Sequence, residues 1–183
     1  MSTAATLTQL GALLRAEGGL LAAALYPSGP VVPADDQGLG VLAAAGPRSA
    51  GHAEPIALAV EAAREADLLH GGRSRIMDVS DRDLAILAGD RLYALGLARL
   101  AEIGAVAAVS ELADVIALCA RTRVDAAGPL AGSVWRAGAA AIGWGTSAAH
   151  GRAKNALIAG SVEAQRLLDD AAGAMAGAAL LGA

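Results

Sequence analysis

The sequence predicts an all-α domain, and three observations carry that prediction. Apolar residues make up 55 % of the 183-residue chain, yet Phe is absent and Tyr26, Tyr93, Trp135 and Trp144 are its only Phe, Trp or Tyr residues, so the core must be built from Ala, Leu, Val and Ile. Ala and Leu are among the best helix formers. Apolar positions recur on a helical period along most of the chain, whereas sustained period-two alternation and hairpin dipeptides between apolar runs are missing. The length suits one domain, residues 1–183, whose core needs no disulfide or metal. Because Ala is small, its helices must approach closely to reach native packing density.

The first helix is expected from about Ala4 to Leu25, with Leu7, Leu10, Leu14 and Leu21 on one period and Gly18-Gly19 as a weak point. Prolines and glycines cluster over residues 26–52, which forbids a continuous helix and marks a connecting segment carrying one short helix near Asp35 to Ala45. A second long helix runs from Glu54-Pro55 to His70 and stops at Gly71-Gly72. Its Glu54, Glu61 and Glu65 share a face opposite Ile56, Ala59, Val60, Ala63 and Leu68, so it is expected to be amphipathic and packed on one side.

The third helix is expected to start with Ser80 as N-cap, with Asp81 and Asp83 in its first turn, and to end at Gly104. Leu84, Ile86, Leu87, Leu92, Leu95, Leu97, Leu100 and Ile103 cover most of its circumference, the pattern of a central helix. The fourth, about Ala105 to Thr122, should pair antiparallel with it across a short turn, with Glu111, Asp114 and Arg121 on a polar stripe. Beyond Gly128-Pro129 follow a helix carrying Trp135 and Ile142, a break at Gly143-Trp144-Gly145, and a last helical region from Ser147 to Leu181 divided near Gly160-Ser161.

Lys plus Arg number 14 against 18 for Asp plus Glu, and the arginines are scattered, which argues against nucleic-acid binding. No charge-free run is long enough to span a bilayer, and the N-terminus lacks a basic region followed by an uninterrupted apolar stretch, so a cytoplasmic location is expected. The lone Cys119 sits in an apolar helical run, where a buried thiol is the ordinary occupant.

Residues Gly40 to Ala120 contain three segments in a telling order. The run from Glu61 to Leu68-Leu69-His70 ends a helix, Leu87-Ala88-Gly89-Asp90 lies within the next, and Glu111 to Cys119 continues the pattern. Together they resemble the trans-isoprenyl diphosphate synthases, the polyprenyl synthetase family. The resemblance implies a shortened form of the isoprenoid synthase fold, an orthogonal and antiparallel helical bundle. In that family the Leu-Leu-His helix is followed by Asp-Asp-x-x-Asp, whose carboxylates bind Mg²⁺ and through it an allylic diphosphate, and then by Arg-Arg-Gly. Here His70 is followed by Gly71-Gly72-Arg73-Ser74-Arg75, and the second Asp-rich motif survives only as Asp169-Asp170 before Ala171-Ala172-Gly173. Ionising a diphosphate requires several divalent cations, each with its own oxygen ligands. The family's basic Gly-Lys-Arg segment also has no counterpart near Tyr26 to Pro33.

No catalytic or cofactor-binding residue is therefore assigned. Asp78, Asp81 and Asp83 are the best acidic cluster for a metal, but a Mg²⁺ or Ca²⁺ loop wants more oxygens and helix capping accounts for all three. Ser80, Gly89 and Asp90 are assigned structural roles, with Asp90 expected to be half-buried beside an Arg or hydrogen-bond partner. His70 at a helix C-terminus suits the carbonyls there, and His52 and His150 lack the spacing of metal or triad histidines. Gly128-x-x-x-Gly132 and Gly173-x-x-x-Gly177 offer small-residue seams within the chain or between subunits. The expectation is a non-catalytic, prenyl-synthase-like chain acting as partner or regulatory subunit of a catalytic prenyl synthase. The alternatives are a stand-alone homodimer that holds an apolar or isoprenoid ligand between its helices, and a residual Mg²⁺ enzyme using Asp67, His70 and the Asp78 to Asp83 group.

Overall fold

The computed structural model describes residues 1–125, 128–177 and 179, and these form nine α-helices and one 3₁₀ turn, with a single isolated bridge between Leu25 and Met77 in place of any strand. The chain is all-α, as its composition predicts. Helix α1 (Thr3–Glu17) is capped by Ser2, whose hydroxyl accepts from the Ala5 amide at 3.3 Å. Gly18 and Gly19 both adopt positive φ, 76° and 72°, so the expected weak point is a complete break before α2 (Gly19–Ala24).

The connecting segment is tied down rather than loose. Tyr26 donates its amide to Ile76 O at 2.8 Å, Val31 to Arg75 O at 2.7 Å, and Asp78 to Ala24 O at 2.9 Å. Its short helix α3 is Leu39–Ala45, beginning later than Asp35 because the Asp36 carboxylate accepts from the Gly38 amide in a tight turn and Gly38 takes a left-handed conformation. A 3₁₀ turn, Pro47–Ser49, leads to α4.

Helix α4 (Ala53–His70) is the centre of the molecule, contrary to the one-sided packing read from its periodicity. Of its residues from Ile56 to Leu69 only Arg64 escapes burial, and Glu61, Glu65 and Asp67 are buried with the rest. It forms the wall between two apolar clusters. Ile56, Ala59, Val60 and Ala63 face a core shared with α3, α6, α7, α8 and α9, whereas Leu58, Ala62, Ala66 and Leu69 meet Leu7, Leu10 and Leu14 of α1 and Leu92 of α5. The expectation fails for a physical reason: the glutamates are matched by Arg75, in the segment that folds back over α4 just after it ends, so their charge does not mark a solvated face.

Helix α5 (Arg82–Glu102) is not central. It packs along α4 through Ala85, Ala88, Gly89, Leu92, Leu95 and Gly96, and it leaves Ile86 38 % and Leu87 64 % exposed on its far side. Its N-cap is Asp81, which accepts from the Leu84 amide at 3.0 Å, whereas the Ser80 hydroxyl expected there is held by Asp78. A short turn with Gly104 at φ 70° leads to α6 (Val106–Val124), which makes its main seam with α7 (Gly128–Trp144) rather than with α5. Helices α8 (Ala148–Ile158) and α9 (Ala164–Ala176) follow breaks at Gly145 and Gly160, the places the sequence marks. The expected continuation to Leu181 lies outside the described residues.

The close helix approaches required by an Ala-rich core fall at glycines other than the two small-residue repeats. A Cβ on Gly96 would stand 2.7 Å from Ala59 O, one on Gly40 2.7 Å from Ala57 O, and one on Gly143 2.6 Å from Ala43 O. By contrast a Cβ on Gly128, Gly173 or Gly177 would meet no other element within 4 Å among the described residues, and one on Gly132 would meet only side-chain ends of Arg136 and Gln37. Among the described residues no helix is long and apolar enough to cross a membrane.

Candidate functional site

The densest polar chemistry lies where the segment after α4 folds back over it. Arg75, 5 % exposed, extends its guanidinium between three carboxylates: Nε donates to Glu65 Oε2 at 2.9 Å, Nη1 to Asp36 Oδ2 at 2.7 Å, and Nη2 to Glu61 Oε2 at 2.8 Å. The remaining carboxylate oxygens are also used. Glu65 Oε1 accepts from the Arg75 amide at 2.6 Å and from the Ser74 hydroxyl, Glu61 Oε1 from the Gly40 amide at 2.8 Å, and Asp36 Oδ1 from the Gly38 amide at 3.0 Å. Glu61 and Glu65 lie one turn apart on α4, so both reach the same guanidinium.

Three carboxylates around one guanidinium leave a surplus of negative charge, and the site responds accordingly. Burial raises the Glu61 pKa above its ordinary value near 4.5, only partly offset by Arg75 and the Gly40 amide. For Arg75, burial acts to lower the pKa, but the pull of Glu61, Glu65 and Asp36 overcomes it and raises the pKa. This arginine is a permanent cation.

Two residues beyond Glu65 on α4, Asp67 forms a second node. Its carboxylate accepts from Arg64 at 2.8 Å, from the Trp135 indole N–H at 3.0 Å, and from Arg123, tying α4 to α6 and α7. The Arg64 guanidinium also lies over the Trp135 ring, 5.5 Å from its centroid. Tyr93 and Cys119 border this node, and burial followed by the Asp67 charge pushes both pKa values up, so the buried thiol stays protonated. A third node joins α6 to α8: Glu111, 4 % exposed rather than on the polar stripe its spacing suggests, receives His150 Nε2 at 2.7 Å and Lys154 Nζ at 2.9 Å. Lys154 also reaches Asp114 at 2.7 Å. Burial acts to lower its pKa, but its bonds to Asp114 and Glu111 prevail and raise it.

The residues singled out by the sequence do not converge into a catalytic or metal constellation. Asp78 accepts from the Ser80 amide at 3.0 Å and hydroxyl at 3.1 Å, Asp81 caps α5, and Asp83 is exposed in its first turn. Among the described residues no three His, Cys, Asp or Glu side chains stand together as metal ligands, so these donors do not fit a Mg²⁺ cluster. His70, the last residue of α4, rests its ring against Gly89, with Nε2 3.3 Å from Ile86 O and 3.2 Å from Asp90. Asp90 is 66 % exposed rather than half-buried, because it projects from the edge of the α4–α5 seam, and the polar partner expected for it is His70. Asp67 is engaged by Arg64, Arg123 and Trp135, apart from these contacts.

Sequence reasoning missed the Arg75 node. Its signal was Glu61 and Glu65 at helical spacing, read as a solvated face, with Arg75 in the segment after Gly71-Gly72. No protein-family model, curated protein or solved structure matches this chain.

Proposed function

We propose that this chain is a non-catalytic, prenyl-synthase-like protein that acts as a partner or regulatory subunit of a catalytic prenyl synthase in the cytoplasm. The observation that carries this reading is the Arg75 guanidinium between Glu61, Glu65 and Asp36. Two carboxylates of α4 and one of the connecting segment converge on a single point, where the charge of a cation is needed. Here a covalently attached cation fills it, and unlike Mg²⁺ it can neither exchange nor arrive with a diphosphate. The resemblance gains support from the contact of His70 with Gly89, which sets the Leu-Leu-His and Ala-Gly-Asp segments side by side. Association is supported by α5, whose face away from α4 exposes Ile86 and Leu87.

The test is co-expression of the chain with a full-length prenyl synthase, followed by size-exclusion chromatography with light scattering and analysis of product chain length. A stable heteromer with altered product length is expected, and Leu87→Lys should abolish it while leaving the fold intact. Two independently migrating proteins, or Mg²⁺-dependent turnover of an allylic diphosphate by the chain alone, contradict the reading. The rival of an apolar ligand lodged between the helices has less support, since Gly40, Gly96 and Gly143 bring those helices into backbone contact.

A further inference from the structure

The first half of α5 carries a ridge made by Asp83, Leu87 and Arg91, which follow one another at four-residue steps and therefore share one side of the helix, away from α4. Leu87 at its centre is 64 % exposed. Helix α2 extends the apolar surface beside it. Glu17, at the end of α1, pairs with Arg91 at 2.6 Å, and Ala23 and Ala24 line a common hollow with Leu84. Helix α2 thus runs antiparallel to α5 and sets Leu20, 75 % exposed, at the level of Leu87. Asp83 is exposed with no ion-pair partner among the described residues, and Arg91 spends one amino group on Glu17 and keeps its other N–H groups.

Such a ridge fits a copy of itself. Asp83 and Arg91 stand equally far, about 6 Å along the axis, to either side of Leu87. A twofold axis passing between two Leu87 side chains sets Asp83 of each copy against Arg91 of the other, with the leucines between the two ion pairs. The commonest class of helix packing, in which four-residue ridges of both helices interdigitate, aligns two ridges in this way. An anionic membrane is matched less well, because it calls for a surplus of basic residues around the apolar centre, and here one acid offsets one base. We infer that the chain forms a homodimer through this face, the two α5 helices crossing antiparallel at Leu87 and held at each end by an Asp83–Arg91 pair between copies. A single helix crossing buries less than a full-sized interface, so the dimer is weak and exchanges. The inference goes beyond the subunit role proposed above: self-pairing covers the apolar face while no synthase is present, and a synthase bound at Leu87 displaces the second copy.

Sedimentation velocity of the whole chain alone, from micromolar to submillimolar concentration, tests it with two charge reversals. Wild type is expected to pass from monomer to dimer over that range. Asp83→Arg sets an arginine against Arg91 of the other copy, and Arg91→Asp sets an aspartate against Asp83, so either variant alone should dimerise at least about tenfold more weakly. Both side chains are exposed, and the Arg91–Glu17 pair is a surface one, so each variant should keep the helix content of wild type by circular dichroism. Mixed in equal amounts, the two variants oppose unlike charges at both ends, and the mixture should dimerise as tightly as wild type. A wild-type chain that stays monomeric, reversals without effect on the dimer, or a mixture as weak as its components overturns the inference. Failure here is separable from failure of the subunit role: a monomer that still joins a synthase overturns only the homodimer, and a dimer that ignores the synthase overturns only that role.

Discussion

Arg75 is stabilised by charge it cannot fully neutralise, and that imbalance governs what substitutions around it do. Removing the guanidinium leaves three carboxylates together in a nearly dry site, so Arg75→Met should destabilise the protein by about 3–5 kcal/mol in urea unfolding. Glu61→Gln is expected to be milder, because the glutamine oxygen keeps one of the two contacts, with the Gly40 amide or with Arg75, and the loss of the other is offset in part as the charge surplus falls. The pH dependence follows from the raised Glu61 pKa. A carboxyl that holds its proton more tightly folded than unfolded stabilises the fold most at low pH, and this contribution declines as pH rises from about 4.5 through the folded value. The stability difference between Glu61→Gln and wild type should therefore shift in favour of the variant on going from pH 4 to pH 7. A difference that is flat with pH, or that moves toward wild type, would show that Glu61 is charged at no cost. At the Asp67 node, Trp135→Phe keeps the aromatic bulk but removes one donor from a buried carboxylate, for an expected loss of about 1.5–3 kcal/mol.

Between elements, the decisive dimension is backbone separation. Gly96 lets α5 lie directly on the Ala59 carbonyl of α4, and Gly96→Ala should push the two helices apart at a cost of about 1–3 kcal/mol. Thermal unfolding of that variant beside Gly173→Ala, whose site is open, would distinguish seam from surface: only the first should lower the midpoint. Helix boundaries were legible in the sequence because local chemistry sets them: Gly18-Gly19, Gly71-Gly72, Gly104, Gly145 and Gly160 each end or interrupt a helix. Which helix is central was not legible. Period alone ranked α5 above α4, because Ile86 and Leu87 count as core by residue type while Glu61, Glu65 and Asp67 count as surface. The partners that bury the α4 carboxylates, Arg75 and Arg123, lie outside that helix, where its own periodicity carries no trace of them. Asp90 was misjudged similarly, its burial depending on which side of the seam its turn of α5 reaches.

At the scale of the whole molecule, α4 divides two apolar clusters and carries most of the buried charge, so the fold is organised around a helix whose carboxylates are permanently occupied. The α5 face that exposes Ile86 and Leu87 is the surface on which the proposed association rests. The most direct measurement of the central claim is a Mg²⁺ titration of the purified chain, read by calorimetry and by the thermal midpoint, for wild type and Arg75→Met. With Arg75 in place as the resident cation, millimolar Mg²⁺ should produce no saturable heat and no shift in wild type, while the weakened variant should gain stability as the ion enters among the freed carboxylates. Saturable Mg²⁺ binding by wild type that disappears in Glu61→Gln would contradict the account.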